Sequence, residues 1–426
     1  MQKTDPRYGA YVEVLKNHLR PAMGCTEPIA IAYASAIARR ALGCLPQKVR
    51  VLVSGNIIKN AKAVTVPNTN GQKGIDAACA AGIVAGDPTR ELQVISQVTQ
   101  EQIREIEAYL RRGIITVDLK MDARLFDILV IVEGGGHTAF TRIADRHTNV
   151  VDVQRDGQVL EAKALTGEAL GTDENELLLS IEGIYDFAGS CDLSDVHDTI
   201  KRQIDCNTAI AEEGIRNEWG ASVGRLLLDN YGADDVRVRA RAYAAAGSDA
   251  RMSGCELPVI INSGSGNQGI TVSVPVIQYA AELGSTEEEL YRALVLANLV
   301  AIRQKAPIGC LSAYCGAISA GCAAGAGIAY LKGGDLSIIN HTIVNALAIL
   351  SGTICDGAKP SCAAKIASAV DAALLAYQMA IAGKEFRDGE GIVKKGVENT
   401  IENVGRLGKD GMKETDQEIL RIMIGQ

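Results

Sequence analysis

The residues with the most chemistry to offer are the cysteines. There are 11 of them, an odd number, so they cannot all be paired. A chain of 426 residues buries a full core without disulfide staples. Thiols or metal ligands are therefore expected. No Cys-x-x-Cys occurs, which removes the usual support for a zinc ribbon or a thioredoxin-like redox site. Five cysteines crowd the C-terminal half instead: Cys310, Cys315, Cys322, Cys355 and Cys362. Cys315 and Cys322 share a face if one helix runs through both. Cys355 and Cys362 flank the segment ICDGAKPSC, in which Asp356-Gly357 marks a turn and Pro360 a helix start. A loop cysteine and another at a helix N-terminus are placed to ligate a metal together. Taken singly, a cysteine is more often a small buried hydrophobe, and Cys44, Cys79, Cys191, Cys206 and Cys255 are read as core or incidental.

Cys25 precedes Thr26-Glu27-Pro28, a helix-start pattern. Backbone N–H groups and the helix dipole at that point favour a thiolate. The run Ser263-Gly264-Ser265-Gly266-Asn267-Gln268-Gly269 is a small-residue loop leading into a helix. Its N–H groups can form an anion nest, although a tight helix connection has the same composition. Asn56, Lys59 and Asn60 follow a strand, and Arg303 and Lys305 precede the cysteine-rich helix. Such lysines either pair with a carboxylate or stand as solvated charges. His137 and His147 lie in strand-rich sequence, where most histidines are structural.

These residues need elements to hold them. KVRVLVSG (48–55), ITVDLK (115–120), DILVIVEG (127–134) and AFTRIA (139–144) alternate as strands. NVVDVQRDGQVLEAK (149–163) is a hairpin turning at Asp156-Gly157. Helical patterns occupy 76–86 and 99–112, and nearly everything after about 175. The expected fold class is α+β: a large all-helical catalytic domain (1–44 and 175–426) with an inserted α/β module (45–174). The first helices are expected to pack back on the C-terminal part, which brings Cys25 to the other cysteines. Aromatic residues are only 4% and glycines number 44, so the core is expected to rest on small aliphatic side chains and close backbone approach. Residues 306–331 and 336–355 are uncharged and long enough to span a bilayer. The first is mostly Ala, Gly, Ser and Cys, the joining turn is short and mean hydropathy is only +0.09. A buried helical hairpin is the expected reading, not a membrane span. Net charge is −8 with no basic block, which argues against a nucleic-acid partner. The N-terminal residues carry no apolar signal region, so a reducing cytoplasm is expected.

The segments GCTEPIAIA (24–32), SGNIIKNAKAV (54–64), HTNVV (147–151), SGSGNQGI (263–270), IGCLSAYCGAISAGCAAG (308–325) and GTICDGAKPSCAAKI (352–366) together resemble the L-cysteine desulfidase family. That family is related to the alpha chain of the iron–sulfur L-serine dehydratases. The resemblance covers essentially the whole chain. It implies an oxygen-sensitive 4Fe–4S cluster held by Cys315, Cys355 and Cys362, with Cys310 and Cys322 as the nearest alternatives to Cys315. It implies Cys25 as catalytic base. It favours Asn56, Lys59, Asn60, His147, Ser263, Ser265 and Asn267 as substrate contacts, with His147 preferred over His137. The implied reaction is β-elimination of L-cysteine to pyruvate, ammonia and hydrogen sulfide. An L-serine dehydratase with the same cluster is the first rival, and a non-enzymatic iron–sulfur sensor or sulfur carrier another. A pyridoxal-phosphate lyase needs a Schiff-base lysine such as Lys305 or Lys365, and neither has a recognisable cofactor motif around it. The expected partners are a small amino-acid substrate and a second copy of the chain in a homodimer.

Overall fold

A computed structural model describes residues 1–121, 124–165, 174–309 and 311–425. Helix α1 (Tyr8–His18) carries Tyr8 and Tyr11 onto the ring of Phe187, with ring centroids 5.3 and 5.2 Å apart. It packs on α6 (Glu174–Leu177) and α12 (Glu287–Lys305), in the helical part of the molecule. Strand β1 (Pro21–Met23) then pairs antiparallel with β8 (Pro258–Ile260), so two remote stretches of chain are joined at Ala22 and Val259. Helix α2 (Thr26–Leu42) follows at once.

Alternation does what it predicts in the next segment. In β2 (Lys48–Val53), Val49, Val51 and Val53 are buried while Lys48 and Arg50 face solvent. The chain then makes α3 (Gly55–Ala61), α4 (Gly74–Ala85) and α5 (Gln100–Arg111) before returning as β3 (Ile115–Leu119), parallel to β2. Strands β4 (Asp127–Gly134), β5 (His137–Ala144), β6 (Val150–Arg155) and β7 (Gln158–Ala162) complete a six-stranded sheet of order β3-β2-β4-β5-β6-β7. Asp156 and Gly157 both have positive φ at the β6–β7 turn, as a type I′ hairpin requires. Helix α2 lies against β4, β5 and β6 and packs on α4. It therefore links the sheet to the N-terminal strand pair. The expected module end near 174 borders residues 166–173, which lie outside the described residues.

The remainder is helical: α7 (Ile181–Ser190), α8 (His197–Arg216), α9 (Val223–Tyr231), α10 (Val236–Met252), α11 (Gly266–Leu283), α12, α13 (Gly316–Leu331), α14 (Leu336–Leu350), α15 (Cys362–Ile381), α16 (Val397–Arg406) and α17 (Lys413–Ile424). Helix α13 is the centre, buried from Ala317 to Ala329 and packed by α11, α12, α14 and α15. A helix apolar on every face belongs inside. Gly321 and Gly325 let α15 approach so closely that a methyl group at either would press on Ala369 or Ala373. This is the small-residue core that the composition predicts. The two uncharged stretches form the hairpin α13–α14, joined by Lys332 to Asp335. Among the described residues one helix, α15, is long and apolar enough to cross a membrane; it packs against α10, α13 and α14. After α16 a π-helical turn (Leu407–Gly411) redirects the chain, and α17 runs back to α3.

Candidate active site

The β1–β8 pair sets the beginning of α2 beside the loop that follows β8. Cys25 caps α2 and Thr26 Oγ1 donates to the carbonyl of Gly264 at 3.0 Å. The loop itself is built by a buried amide ladder. Asn207 brackets the backbone of Ile260 from both sides, accepting from its N–H at 2.8 Å and donating to its carbonyl at 3.1 Å. Asn262 donates to Asn298 Oδ1 at 2.9 Å, and Asn298 is bonded in turn to Gln203. All four amide side chains are fully buried. Their bonds to one another and to the Ile260 backbone replace the water that such groups would otherwise need. Ser263 and Gly264 take positive φ, 49° and 80°, and a methyl at Gly264 would press on the His147 ring. Ser265 caps α11, accepting from the N–H of Gln268.

Next to Cys25 stands a carboxylate that the sequence reading passed over. Cys25 Sγ donates to Glu27 Oε2 at 3.1 Å, and Asn60 Nδ2 donates to Glu27 Oε1 at 3.2 Å. His147 Nε2 lies 3.8 Å from the same oxygen, at ion-pair rather than hydrogen-bond distance. Its ring is held edge-on by Phe126, centroids 4.7 Å apart. Burial alone would raise the Glu27 carboxyl, but His147 and the Cys25 thiol outweigh it and hold it at about 2. For Cys25 the balance runs the other way: burial, then the Glu27 charge, push the thiol well above its usual range. The expected thiolate is therefore corrected. A helix dipole supplies only partial positive charge, and a full carboxylate in the same buried space overrides it.

The second half of the site comes from the C-terminal helices. Cys315 caps α13, and a short antiparallel bridge joins Tyr314 to Ile354. The Cys315 N–H donates to the Thr353 carbonyl at 3.1 Å and the Cys355 N–H to the Ala313 carbonyl at 2.6 Å. Cys362 is the first residue of α15. The hydrogen bond from Cys315 lowers Cys355 below the usual thiol range against the effect of burial, with the Lys59 charge assisting, and Cys315 is raised correspondingly. Burial raises Cys362. Gly357, at φ 95°, lies so close to the Lys59 carbonyl that a side chain there would overlap it. Cys315, Cys355 and Cys362 line one cavity of about 110 Å³ together with Cys25, Glu27, Asn60, His147, Arg251, Ser263, Ser265 and Asn267.

Of the residues expected from the sequence, this cavity gathers all but two. Asn56 and Lys59 are buried in α3 but do not line it. Lys59 is turned to Asp416 of α17 and is paired with it, so its influence on the cavity is by charge. Cys322 is not on the wall either: it donates to the Ile343 carbonyl of α14 at 3.5 Å. Cys315 and Cys322 do not share one helix face, because α13 begins only at Gly316. Cys310 lies outside the described residues. Lys305 and Lys365 do line the cavity. Arg303 is paired with Glu398 and Glu402, and His137 with Asp156 on the surface. The sequence reading missed Glu27 and Arg251. Both occupy places with a bland explanation, an acid in the first turn of a helix and a base in the last turn of another.

Among the described residues no three His, Cys, Asp or Glu side chains are grouped to hold a single metal ion. A cubane is broader than one ion and takes a thiolate at each of several corners. Three cysteines on one cavity wall, with the charges of Lys59, Lys365 and Arg251 acting on them, fit that requirement in donor type and in charge.

Comparison with known proteins bears directly on this arrangement. The serine dehydratase alpha chain family matches residues 89–421. The chain belongs to that family. Its matched span includes His147, the 263–269 loop, Arg251 and all three cavity cysteines of the C-terminal half; Cys25, Glu27 and α3 precede it. A protein of Desulfitobacterium hafniense named UPF0597 protein is 54% identical over 426 residues, covering 100% of this chain and 99% of its own length. UPF0597 proteins of Lachnoclostridium phytofermentans and Finegoldia magna are each 49% identical, over 98% and 97% of this chain and 100% and 99% of their own lengths. The similarity to the serine dehydratase alpha chain thus spans residues 89–421, the UPF0597 relatives match along nearly the whole chain, and family membership points to a lyase-type enzyme.

Proposed function

We propose that the protein is an iron–sulfur-dependent lyase that eliminates the β-substituent of a small L-amino acid, with L-cysteine as substrate. The observation that carries this reading is the convergence on one cavity of three buried thiols, the Cys25–Glu27–His147 group and the 263–267 loop. Cys315, Cys355 and Cys362 would hold a 4Fe–4S cluster. When bound, the cluster supplies an iron with an open position, a Lewis acid for the leaving sulfur.

The chain's own residues do the rest. The loop and the head of α11 present N–H groups and hydroxyls to the substrate carboxylate. Cys25 faces the α-carbon as the proton acceptor, and the thiol must give up its own proton to act. Glu27 Oε2, 3.1 Å away, accepts the thiol's hydrogen bond; with Glu27 held at about 2 and the thiol raised, the proton rests on sulfur and passes to the carboxylate only as the sulfur takes the α-proton. Asn60 and His147 hold Glu27 in place and ionised. Buried walls keep bulk water from the α-carbon until the aminoacrylate leaves and hydrolyses. The net change is L-cysteine plus water to pyruvate, ammonia and hydrogen sulfide.

Family membership supports a second reading, L-serine dehydratase, in which hydroxide leaves from the same site. One anaerobic experiment separates them. The protein is reconstituted with iron and sulfide, its visible spectrum recorded, and pyruvate measured from L-cysteine and from L-serine. A broad brown band with sulfide and pyruvate from cysteine supports the first reading. Turnover of serine alone selects the second. A well-folded protein that takes up no iron rejects both.

A further inference from the structure

Among the described residues Arg251 is the largest fully buried side chain, at 2% exposure. It projects from the last turn of α10 to the cavity wall. Its Nη1 donates to Asn267 Oδ1 at 3.0 Å, and its Nε has no hydrogen-bond partner. Among the described residues no carboxylate lies within ion-pair distance of it. The guanidinium rests against the start of α11 so closely that any side chain at Gly266 would overlap Nε. Glu27 and the thiols of Cys25 and Cys362 act on it only through space, so a buried cation whose hydrogen bond goes to a neutral amide is costly unless an anion joins it. Lys365, on the same cavity, already has Asp356 at 2.5 Å. Around Arg251 the other donors converge. The Gly266 and Asn267 N–H groups at the head of α11 have no intrahelical acceptor, that of Gln268 being capped by Ser265, and Ser263 and Ser265 line the same wall.

We propose that Arg251 is the anchor for the substrate's α-carboxylate, binding it between the guanidinium and the N-terminus of α11. This rests on the reading of the chain as an amino-acid lyase and names the residue that makes the site select an amino acid. A planar guanidinium presents paired donors that match the two oxygens of a carboxylate. Asn267 orients the guanidinium without neutralising it, since an amide accepts a hydrogen bond but carries no charge.

The test uses the full chain without added iron, so that it does not depend on elimination. Binding of L-alanine and of L-alaninamide, which has no carboxylate, is measured by titration calorimetry. The expected result is that alanine binds roughly tenfold to hundredfold more tightly than the amide, and that Arg251→Gln abolishes the difference. Asn267→Asp keeps the shape and places a carboxylate on the guanidinium. It is expected to abolish the difference too while raising Tm, an opposite pairing of effects that damaged packing does not produce. Equal binding of the two probes by the unaltered chain, no alanine binding, or an unchanged preference in both variants overturns the proposal. So does an Arg251→Gln protein that keeps the preference and loses iron uptake, which would assign the guanidinium to the thiols. If the preference depends on Arg251 but the reconstituted protein turns over neither cysteine nor serine, the carboxylate site stands and the lyase reading falls.

Discussion

At the scale of single residues, the site divides into thiols that face the cavity and thiols that do not. Cys355→Ala and Cys362→Ala are expected to lose the brown band and the bound iron. Cys322→Ala is expected to keep both, because its sulfur is committed to the Ile343 carbonyl. Iron analysis after anaerobic reconstitution decides it; a band that survives Cys355→Ala would remove that residue from the ligand set. Glu27 gives a sharper prediction. Glu27→Gln keeps the volume and the Asn60 contact but takes away the acceptor for the Cys25 proton. Turnover should fall by about two to four orders of magnitude, the usual range for a lost acid–base group, with the visible spectrum unchanged. An active Glu27→Gln enzyme would exclude this proton path. The cysteines were legible in the sequence because their types and spacing are distinctive. The protonation state of Cys25 was not, because it depends on a carboxylate whose side chain only the folded α2 turns back toward it.

Elements explain why these side chains arrive in register. The strands were readable because Val49, Val51 and Val53, or Ile128, Val130 and Val132, alternate with outward residues. That α2 covers the sheet was not readable, since Ala-rich helices are apolar on every side and can pack anywhere. The segment 355–362 depends on Gly357, which has φ 95° and touches the Lys59 carbonyl. Gly357→Ala therefore meets both a strained backbone and a clash. It is expected to cost more than about 1 kcal/mol and to displace Cys355. Urea unfolding and the intensity of the reconstituted band read the two effects separately. Unchanged values for both would mean that the loop relaxes without moving the thiol.

For the whole molecule, the decisive relation is between α17 and α3. Leu420 packs on Gly55, Lys62 Nζ donates to the Met423 carbonyl at 2.9 Å, and Asp416 pairs with the buried Lys59. Asp416→Asn leaves Lys59 inside without its counter-charge. Breaking such a buried pair is expected to cost about 3 kcal/mol, visible as a lower denaturation midpoint. The same change should weaken iron retention, since the Lys59 charge acts on Cys355. A variant as stable as the parent chain would show that Lys59 finds another partner. None of this could be read from the sequence, where Asp416 is one acid among many on an amphipathic helix.

The pairing of β1 with β8 has a consequence for how the protein comes to exist. Pro21 meets Ile260, and Cys25 needs partners as distant as Arg251 and Cys362. No nascent chain shorter than 362 residues contains all three cavity thiols of the C-terminal half, and the counter-ion of Lys59 is made later still. While the ribosome is at work, the early cysteine waits with no site around it. Contacts of such wide sequence separation close slowly. On the proposed function, iron delivery would therefore follow synthesis and collapse, and the thiols would have to stay reduced throughout that interval.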